Sequence, residues 1–178
     1  AEGIPLRHQG NFATGNLCTN IDRKNAQFDP FVVYMYAVFV SEVEVDVTTG
    51  KTRVHKMTTA IDAGKIANKL VVDGQVLGGL AQGVGLALSE DFEDIKKHTT
   101  LQRCGLPLIE DVPDEMEIMY LETPRKHSIQ GSSGIGEVPL TSPHVSILNA
   151  IYNACGVRIR AIPALPEKVL AGLTAGKK

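Results

Sequence analysis

Residues 41–62 read SEVEVDVTTGKTRVHKMTTAID, and this stretch predicts the centre of the fold. In its first half, hydrophobic residues alternate with acidic ones, which is the period of a strand with one buried face and one wet face. The inward positions are Val43, Val45 and Val47. Residues 48–51, Thr-Thr-Gly-Lys, supply turn chemistry, and a second β-like run follows and ends near Asp62. The sequence therefore predicts a hairpin whose first strand lies within residues 32–47.

A longer apolar pattern at helical spacing follows the hairpin. Its members recur every four residues: Val72, Val76, Leu80, Val84 and Leu88. We expect a helix from about Asp73, near its start, to Glu90. Five glycines within it each cost roughly 0.5 to 1 kcal/mol relative to alanine. Close approach of a ligand or another backbone, or plain helix packing, must compensate for them.

Two further elements are predicted downstream of this helix. Residues 114–122 predict a strand. One face of it carries Met116, Ile118 and Tyr120. Ser142 as N-cap, Pro143 in the first turn and Gly156 as terminator predict a second helix.

The C-terminal stretch predicts a last strand and a short helix. Residues 157–163, VRIRAIP, place Val157 and Ile159 inward, and Pro166 opens a helix that Gly172 ends. Because strands and helices mix without strict alternation, we expect an α+β fold of mixed sheets packed with helices.

Composition and segment character limit the domain plan and the partners. Residues 1–30 are rich in Gly, Asn, Asp and Thr and predict an extended arm, followed by one domain over residues 31–178. A net charge of -2 and a pI near 6.2 give no reason to expect nucleic acid as a partner, and the apolar stretches are broken before the roughly 20 residues of a membrane span. Three scattered cysteines, read as buried thiols, and five unpaired histidines give no spacing suited to a metal.

The segment GSSGIGE, residues 131–137, is the most informative for function. Its small residues, among them Ser133, Gly134 and Gly136, let backbone N–H groups approach a ligand closely, and the loop then presents the carboxylate of Glu137. Such a carboxylate could serve as a general base. The alternative is a flexible surface loop with a solvated Glu137. The glycine spacing is neither that of a Walker loop nor that of a dinucleotide fingerprint.

Two other features have both a structural and a functional interpretation. Gln75 and Gln82 lie two helical turns apart and could read the edge of a polar heterocycle, or they could be solvent-facing amides. Asp62-Ala63-Gly64 followed by Asn68 is typical of turn and cap chemistry.

Five segments together resemble the C-terminal part of the molybdopterin-binding region of molybdenum hydroxylases, the xanthine oxidase family. In chain order they are SEVEVDVTTGKTRVHK, DAGKIAN, VDGQVLGGLAQGVGLALSEDF, GSSGIGEVPLTSPH and CGVRIRAIPALPEKVL. The last one is most similar to bacterial aldehyde oxidoreductases of this family. The resemblance covers nearly all of the chain.

The resemblance implies roles for individual residues. Glu137 falls on the glutamate that lies beside molybdenum as the base, and Gln75 falls on a residue that contacts the pterin cofactor or its nucleotide. Asn68 flanks the same site, and Ser133, Gly134 and Gly136 belong to the loop against the cofactor. The chain departs from the family at Lys69, where the family usually has proline after the asparagine.

The resemblance also implies an activity and its setting. The family's aldehyde oxidoreductases convert aldehydes to carboxylic acids with water as the oxygen source; Glu137 would deprotonate a molybdenum-bound water or hydroxide, and hydride would pass to a sulfido ligand. The cofactor would be molybdopterin, in its cytosine dinucleotide form, carrying molybdenum. Partners would be the rest of the same enzyme, with its [2Fe-2S] and upstream molybdopterin domains, an electron acceptor and a second subunit of a homodimer, in the bacterial cytoplasm.

Two alternatives remain open from the sequence. The enzyme could instead hydroxylate a purine or another N-heterocycle, or oxidise carbon monoxide, within the same family. The chain could also be a structural or interaction module without catalytic function.

Overall fold

The computed structural model describes residues 30–176 continuously and, before them, residues 3, 7–11, 13, 15, 17, 18 and 24. The chain divides into two compact units, residues 1–34 and residues 35–178. In the first unit the described residues include no helix or strand, and the ring of Phe31 meets that of Tyr34 edge-on at 5.7 Å. Most of the predicted arm lies outside the described residues and stays a prediction.

The predicted hairpin is confirmed. Strand β1, Tyr36–Val45, pairs antiparallel with β2, Thr52–Asp62. The turn between them is closed by the Gly50 N–H, which donates to the Asp46 carbonyl at 2.7 Å. The inward valine predicted at Val47 was wrong, because the chain has already left the strand there and this side chain is 61% exposed.

A third strand completes the sheet. Strand β3, Glu115–Leu121, pairs parallel with β2, so the order is β1-β2-β3. Its alternating burial confirms the predicted inward face. Because the sheet is mixed and packs against helices, the α+β prediction is confirmed.

Helix α1, Lys69–Leu88, confirms the apolar pattern but corrects the predicted start. The N-cap is Asn68, whose side chain accepts a hydrogen bond from the Val71 N–H at 3.2 Å. Asp73 instead accepts from the Lys69 ammonium and from the Tyr120 hydroxyl, so it joins the helix to β3 rather than capping it. Either polar residue is a plausible cap by type, and only the contacts distinguish them.

The core lies between the sheet and two helices. Helix α2, Pro143–Cys155, begins and ends where predicted, with Gly156 in the left-handed region at φ 74°. Ser142 is its N-cap residue, although its side chain makes no capping bond. The sheet and both helices contribute fully buried apolar side chains to the core, among them Met57, Ile61, Val76, Leu80, Val84, Ile147 and Ile151.

The predictions for the C-terminal stretch were partly wrong. Residues 157–163 form no strand. Val157 and Ile159 are more buried than the residues beside them, as the alternation predicted, but no strand among the described residues pairs with this segment. Helix α3, Pro166–Ala175, continues through Gly172. The bare surface of Gly172 accommodates the side chain of Val157, so this glycine serves packing rather than termination.

By length and mean hydropathy, 1.3, α1 would also suit a membrane span. It is, however, the helix whose apolar face forms the core, which explains the same composition. The three cysteines are unpaired and half-buried, so they are less buried than predicted.

Candidate active site

The segment that carries Glu137 lies directly on α1. A short 3-10 turn, Val138–Leu140, follows the glutamate. A Cβ added to Gly79 would lie 2.5 Å from the Cβ of Pro139, and one added to Gly83 would lie 2.5 Å from the Cγ of Pro143. These two helix glycines are therefore explained by the close approach of another part of the backbone, at Pro139 and Pro143, which is one of the explanations that the sequence left open.

The same helix face also contacts the residue before Glu137. The side-chain amide of Gln75 donates to the Gly136 carbonyl at 2.6 Å. Gln75, Gly79 and Gly83 are four residues apart and so share one face of α1. This face therefore holds residues 136–143 at three successive points.

Glu137 is exposed, and its carboxylate makes no hydrogen bond or ion pair with any residue that the structure describes. Within the same described part of the chain, the backbone N–H groups of residues 134–137 have no acceptor. Nothing lies within 4 Å of the position of a Cβ at Gly134 or Gly136. The loop thus presents four consecutive donors and one carboxylate beside open space, as an anion-binding or ligand-binding loop would.

Two of the predicted cofactor-binding residues line one cavity. Asn68 and Ser133 both border a cavity of about 180 Å³, together with Lys65 and apolar residues of the same segments. The Oδ1 atom of Asn68 is used by its cap bond, whereas no bond to its Nδ2 is seen among the described residues. Ligand pockets usually measure 300 to 1,000 Å³, so this cavity could hold only part of a large cofactor.

The departure from the family at Lys69 does not disturb the helix start. Lys69 is the first helical residue, and its ammonium pairs with Asp73 at 2.7 Å. The same ammonium lies 5.3 Å from the ring centroid of Tyr120. Burial, followed by the hydrogen bond to Asp73, raises the pKa of Tyr120 well above its ordinary value, so the hydroxyl stays a donor.

Gln82, the second member of the predicted amide pair, is exposed on α1 and forms no side-chain hydrogen bond with a described residue. Gln75 alone therefore contacts the loop, through its nitrogen, and its Oε1 has no donor in the described part of the chain. Whether Gln75 also contacts a cofactor stays a prediction.

Sequence reasoning missed a buried ion pair that contacts the first residues of the loop through Ser133. Arg125 lies 3.2 Å from the Asp62 carboxylate, and both side chains are nearly buried, at 11% and 13% exposure. Burial alone would raise the pKa of Asp62, but hydrogen bonds from Gly64 and Thr123 and the charge of Arg125 outweigh it and hold this pKa below its ordinary value. The Gly64 contact is the turn chemistry that Asp62-Ala63-Gly64 predicted, whereas nothing in the sequence pointed to a partner 63 residues away.

Comparison with known proteins places the chain in a family. The family model described as "Molybdopterin cofactor-binding domain" matches residues 1–113. An aldehyde oxidoreductase of Megalodesulfovibrio gigas is 54% identical over 96% of the chain, and the large subunit of nicotine 6-hydroxylase from Paenarthrobacter nicotinovorans is 36% identical over 72%. The crystal structure of the aldehyde oxidoreductase from Desulfovibrio desulfuricans superposes on 87% of the chain, with a TM-score of 0.84 and 59% identity.

These relatives are much longer proteins. The chain spans 19% and 16% of the two curated relatives and 17% of the solved one. The match at 54% identity reaches beyond the family model and includes the loop of residues 131–137. The chain belongs to the molybdopterin cofactor-binding region of the xanthine oxidase family of molybdenum hydroxylases.

Proposed function

We propose that this chain supplies the catalytic base, Glu137, to a molybdenum-dependent enzyme that oxidises aldehydes to carboxylic acids with water as the oxygen source. The observation that carries the proposal is the exposed, unpaired carboxylate of Glu137. Helix α1 contacts the backbone just before this residue, at Gly136, and just after it, at Pro139. A general base must reach the proton that it removes, and here no described side chain stands in its way.

The residues around the loop fit a large cofactor with many hydrogen-bond acceptors. The N–H groups of residues 134–137 are without partners, the two glycines leave their surroundings open, and Gln75 offers its Oε1 as an acceptor. Asn68 and Ser133 would contact the part of the cofactor that enters the 180 Å³ cavity. When bound, molybdopterin supplies the redox-active molybdenum that accepts the two electrons of the oxidation.

In this proposal each group of the chain has a limited task. The carboxylate of Glu137 accepts the proton of the water whose oxygen enters the product. The N–H donors and Ser133 orient the cofactor relative to that carboxylate. The contacts of Gly136 and Pro139 with α1 keep the backbone of Glu137 in a fixed place relative to the helix. Holding the reacting groups in place contributes to the rate because it removes an entropic cost from the reaction.

Aldehydes are favoured as substrates because aldehyde oxidoreductases of Megalodesulfovibrio gigas and Desulfovibrio desulfuricans are 54% and 59% identical, whereas the nicotine 6-hydroxylase subunit is 36% identical. The whole enzyme would further contain [2Fe-2S] clusters in its other domains, carry the cofactor as its cytosine dinucleotide and pass electrons to an external acceptor. We also propose a homodimer in the bacterial cytoplasm.

The proposal is tested on the natively purified, complete enzyme. We expect near-stoichiometric molybdenum and pterin, and transfer of oxygen from isotopically labelled water into the acid formed from an aldehyde. A panel with a purine, an N-heterocycle and carbon monoxide separates the alternatives. Preferred turnover of one of these would redirect the substrate assignment, and absence of molybdenum and pterin would support the structural module.

A further inference from the structure

Arg125 belongs to none of the motifs that point to the cofactor, yet its side chain reaches the loop that carries Glu137. We propose that Arg125 is a positioning residue: it orients Ser133 and fixes the start of the loop, so that the loop that carries Glu137 is held from both ends. This inference rests on the proposed function, because it assigns Arg125 a task in that same site.

The guanidinium of Arg125 binds three groups at once. Its Nε donates to the Ser133 hydroxyl at 2.9 Å, and one terminal nitrogen donates to the Asp62 backbone carbonyl at 2.8 Å. The Asp62 carboxylate lies 3.2 Å from the same nitrogen. The guanidinium presents its N–H donors in a fixed planar fork that spans these three groups, whereas a lysine ammonium donates from a single atom.

Three segments of the chain meet at this point. The carbonyl of Gly131 accepts from the N–H groups of both Lys65 and Arg125, at 2.9 and 3.0 Å. Gly64, at φ 63°, lies so close that an added Cβ would be 2.6 Å from the Gly131 carbonyl oxygen and 3.0 Å from Ser133 Oγ. The end of β2, the segment around Arg125 and the start of the loop therefore form one tightly packed node.

The two ends of the loop are held by different means. The node around Arg125 fixes its first residues, up to Ser133. The contacts of α1 with Gly136 and with Pro139, two residues after the loop, fix the last residues of the loop. Only residues 134 and 135 separate the two anchors, and Glu137 directly follows the second one, so a displacement of the first anchor reaches Glu137 along this short span.

Arg125 also determines what Ser133 can offer a ligand. A hydroxyl has one proton to donate and two lone pairs to accept with. Arg125 Nε occupies one lone pair, and no acceptor for the hydroxyl proton exists among the described residues. Because Ser133 borders the 180 Å³ cavity, its proton is available to an acceptor there.

The test uses Arg125→Lys, Ser133→Ala and the double variant of the complete enzyme. We expect Arg125→Lys to lower kcat per bound molybdenum by about ten-fold, because displacement of a catalytic group by a fraction of an ångström has effects of this order. In the Ser133→Ala background the same change should lower it by no more than about two-fold, because the contact through which Arg125 acts is already absent. Arg53→Lys, an exposed arginine of β2, is the matched control.

A second readout does not depend on activity. Backbone hydrogen exchange of residues 131–137 should become faster in Arg125→Lys and in Ser133→Ala, while α1 and α2 keep their protection. Should Arg125→Lys fail to fold, Ser133→Ala decides alone, because it leaves the ion pair intact.

The outcomes separate the two proposals. Three results would each overturn the positioning role. The first is an equal effect of Arg125→Lys on kcat with and without Ser133, and the second is unchanged hydrogen exchange in the loop. The third is a loss of molybdenum with full turnover per remaining metal. Absence of molybdenum and aldehyde turnover from the unaltered enzyme would instead refute the proposed function, and the exchange measurement would still test the node.

Discussion

Replacing Gly79 by alanine should displace the segment that carries Glu137. The new Cβ would lie 2.5 Å from Pro139 Cβ and 3.0 Å from its carbonyl carbon, whereas ordinary carbon contacts measure about 3.5 to 4 Å. The proline must therefore move by up to about 1 Å. Pro139 is two residues after Glu137, and a misplacement of about 1 Å at a catalytic group can lower kcat by about 100-fold.

The effect on stability combines two opposing terms. Overpacking in a well-packed region costs about 1 to 3 kcal/mol, and alanine in a helix is favoured over glycine by about 0.5 to 1 kcal/mol. The net destabilisation is therefore between about 0 and 2.5 kcal/mol. A 100-fold loss of kcat corresponds to about 2.7 kcal/mol of activation free energy, so the catalytic effect should be the larger of the two.

The neighbouring glycine supplies the matched control. A Cβ at Gly78 would have nothing within 4 Å, so Gly78→Ala should retain full turnover and gain the helix propensity of about 0.5 to 1 kcal/mol. Thermal unfolding and kcat per bound molybdenum of the complete enzyme measure both effects. Equal kcat values for the two variants would refute the reasoning that α1 positions Glu137.

Two further predictions concern the anchors of the site. Asp62 has a lowered pKa in the folded protein, so its ionised form contributes stability that is present above its unfolded pKa of about 3.9 and is lost as the pH falls through the lower folded value. Asp62→Asn should therefore be less stable than the unaltered protein at pH 7 and should lose less stability between pH 5 and pH 2. Melting temperatures of the two proteins across this range measure the difference. Melting temperatures that fall in parallel with pH would contradict the prediction. Asn68→Ala should lose about 1 kcal/mol of unfolding free energy through the missing cap bond to Val71, whereas Asn68→Asp, which keeps an acceptor, should lose much less. Denaturant titration of the two variants gives the comparison, and equal losses would argue against the cap.

The elements that the sequence predicted correctly are those set by local signals. Alternation and turn chemistry predicted the hairpin of β1 and β2, and the four-residue recurrence from Val72 to Leu88 predicted the core face of α1. Gly156 ends α2 as predicted, because a left-handed residue is needed there.

Three of the incorrect predictions concern features that depend on a distant partner. Residues 157–163 alternate as a strand would, but strand formation needs a neighbouring strand and none pairs with them in the described structure. Gly172 was assigned to a helix end because glycine often terminates helices, whereas the space beside it is filled by Val157. Asp73 was placed at the start of α1 because its contact with Tyr120 is invisible in the sequence, whereas the cap chemistry predicted for Asn68 is confirmed.

The sequence likewise predicted which segment forms the candidate site but not the long-range contacts that hold it. The small residues before Glu137 and the family resemblance together singled out residues 131–137. The bond from Gln75 to Gly136, by contrast, joins residues 61 positions apart, and the bond from Arg125 to Asp62 joins residues 63 positions apart. Such contacts follow from the packing of the elements and not from any local pattern.

The role of Glu137 as the base is tested most directly by Glu137→Gln in the complete enzyme, with Glu93→Gln, another exposed glutamate, as the control. The change is nearly isosteric and replaces a carboxylate that can accept a proton with a neutral amide that cannot. We expect unchanged molybdenum and pterin content and unchanged melting temperature, with aldehyde turnover lowered by at least about 100-fold. Turnover equal to that of Glu93→Gln, at full cofactor content, would contradict the assignment of Glu137 as the base.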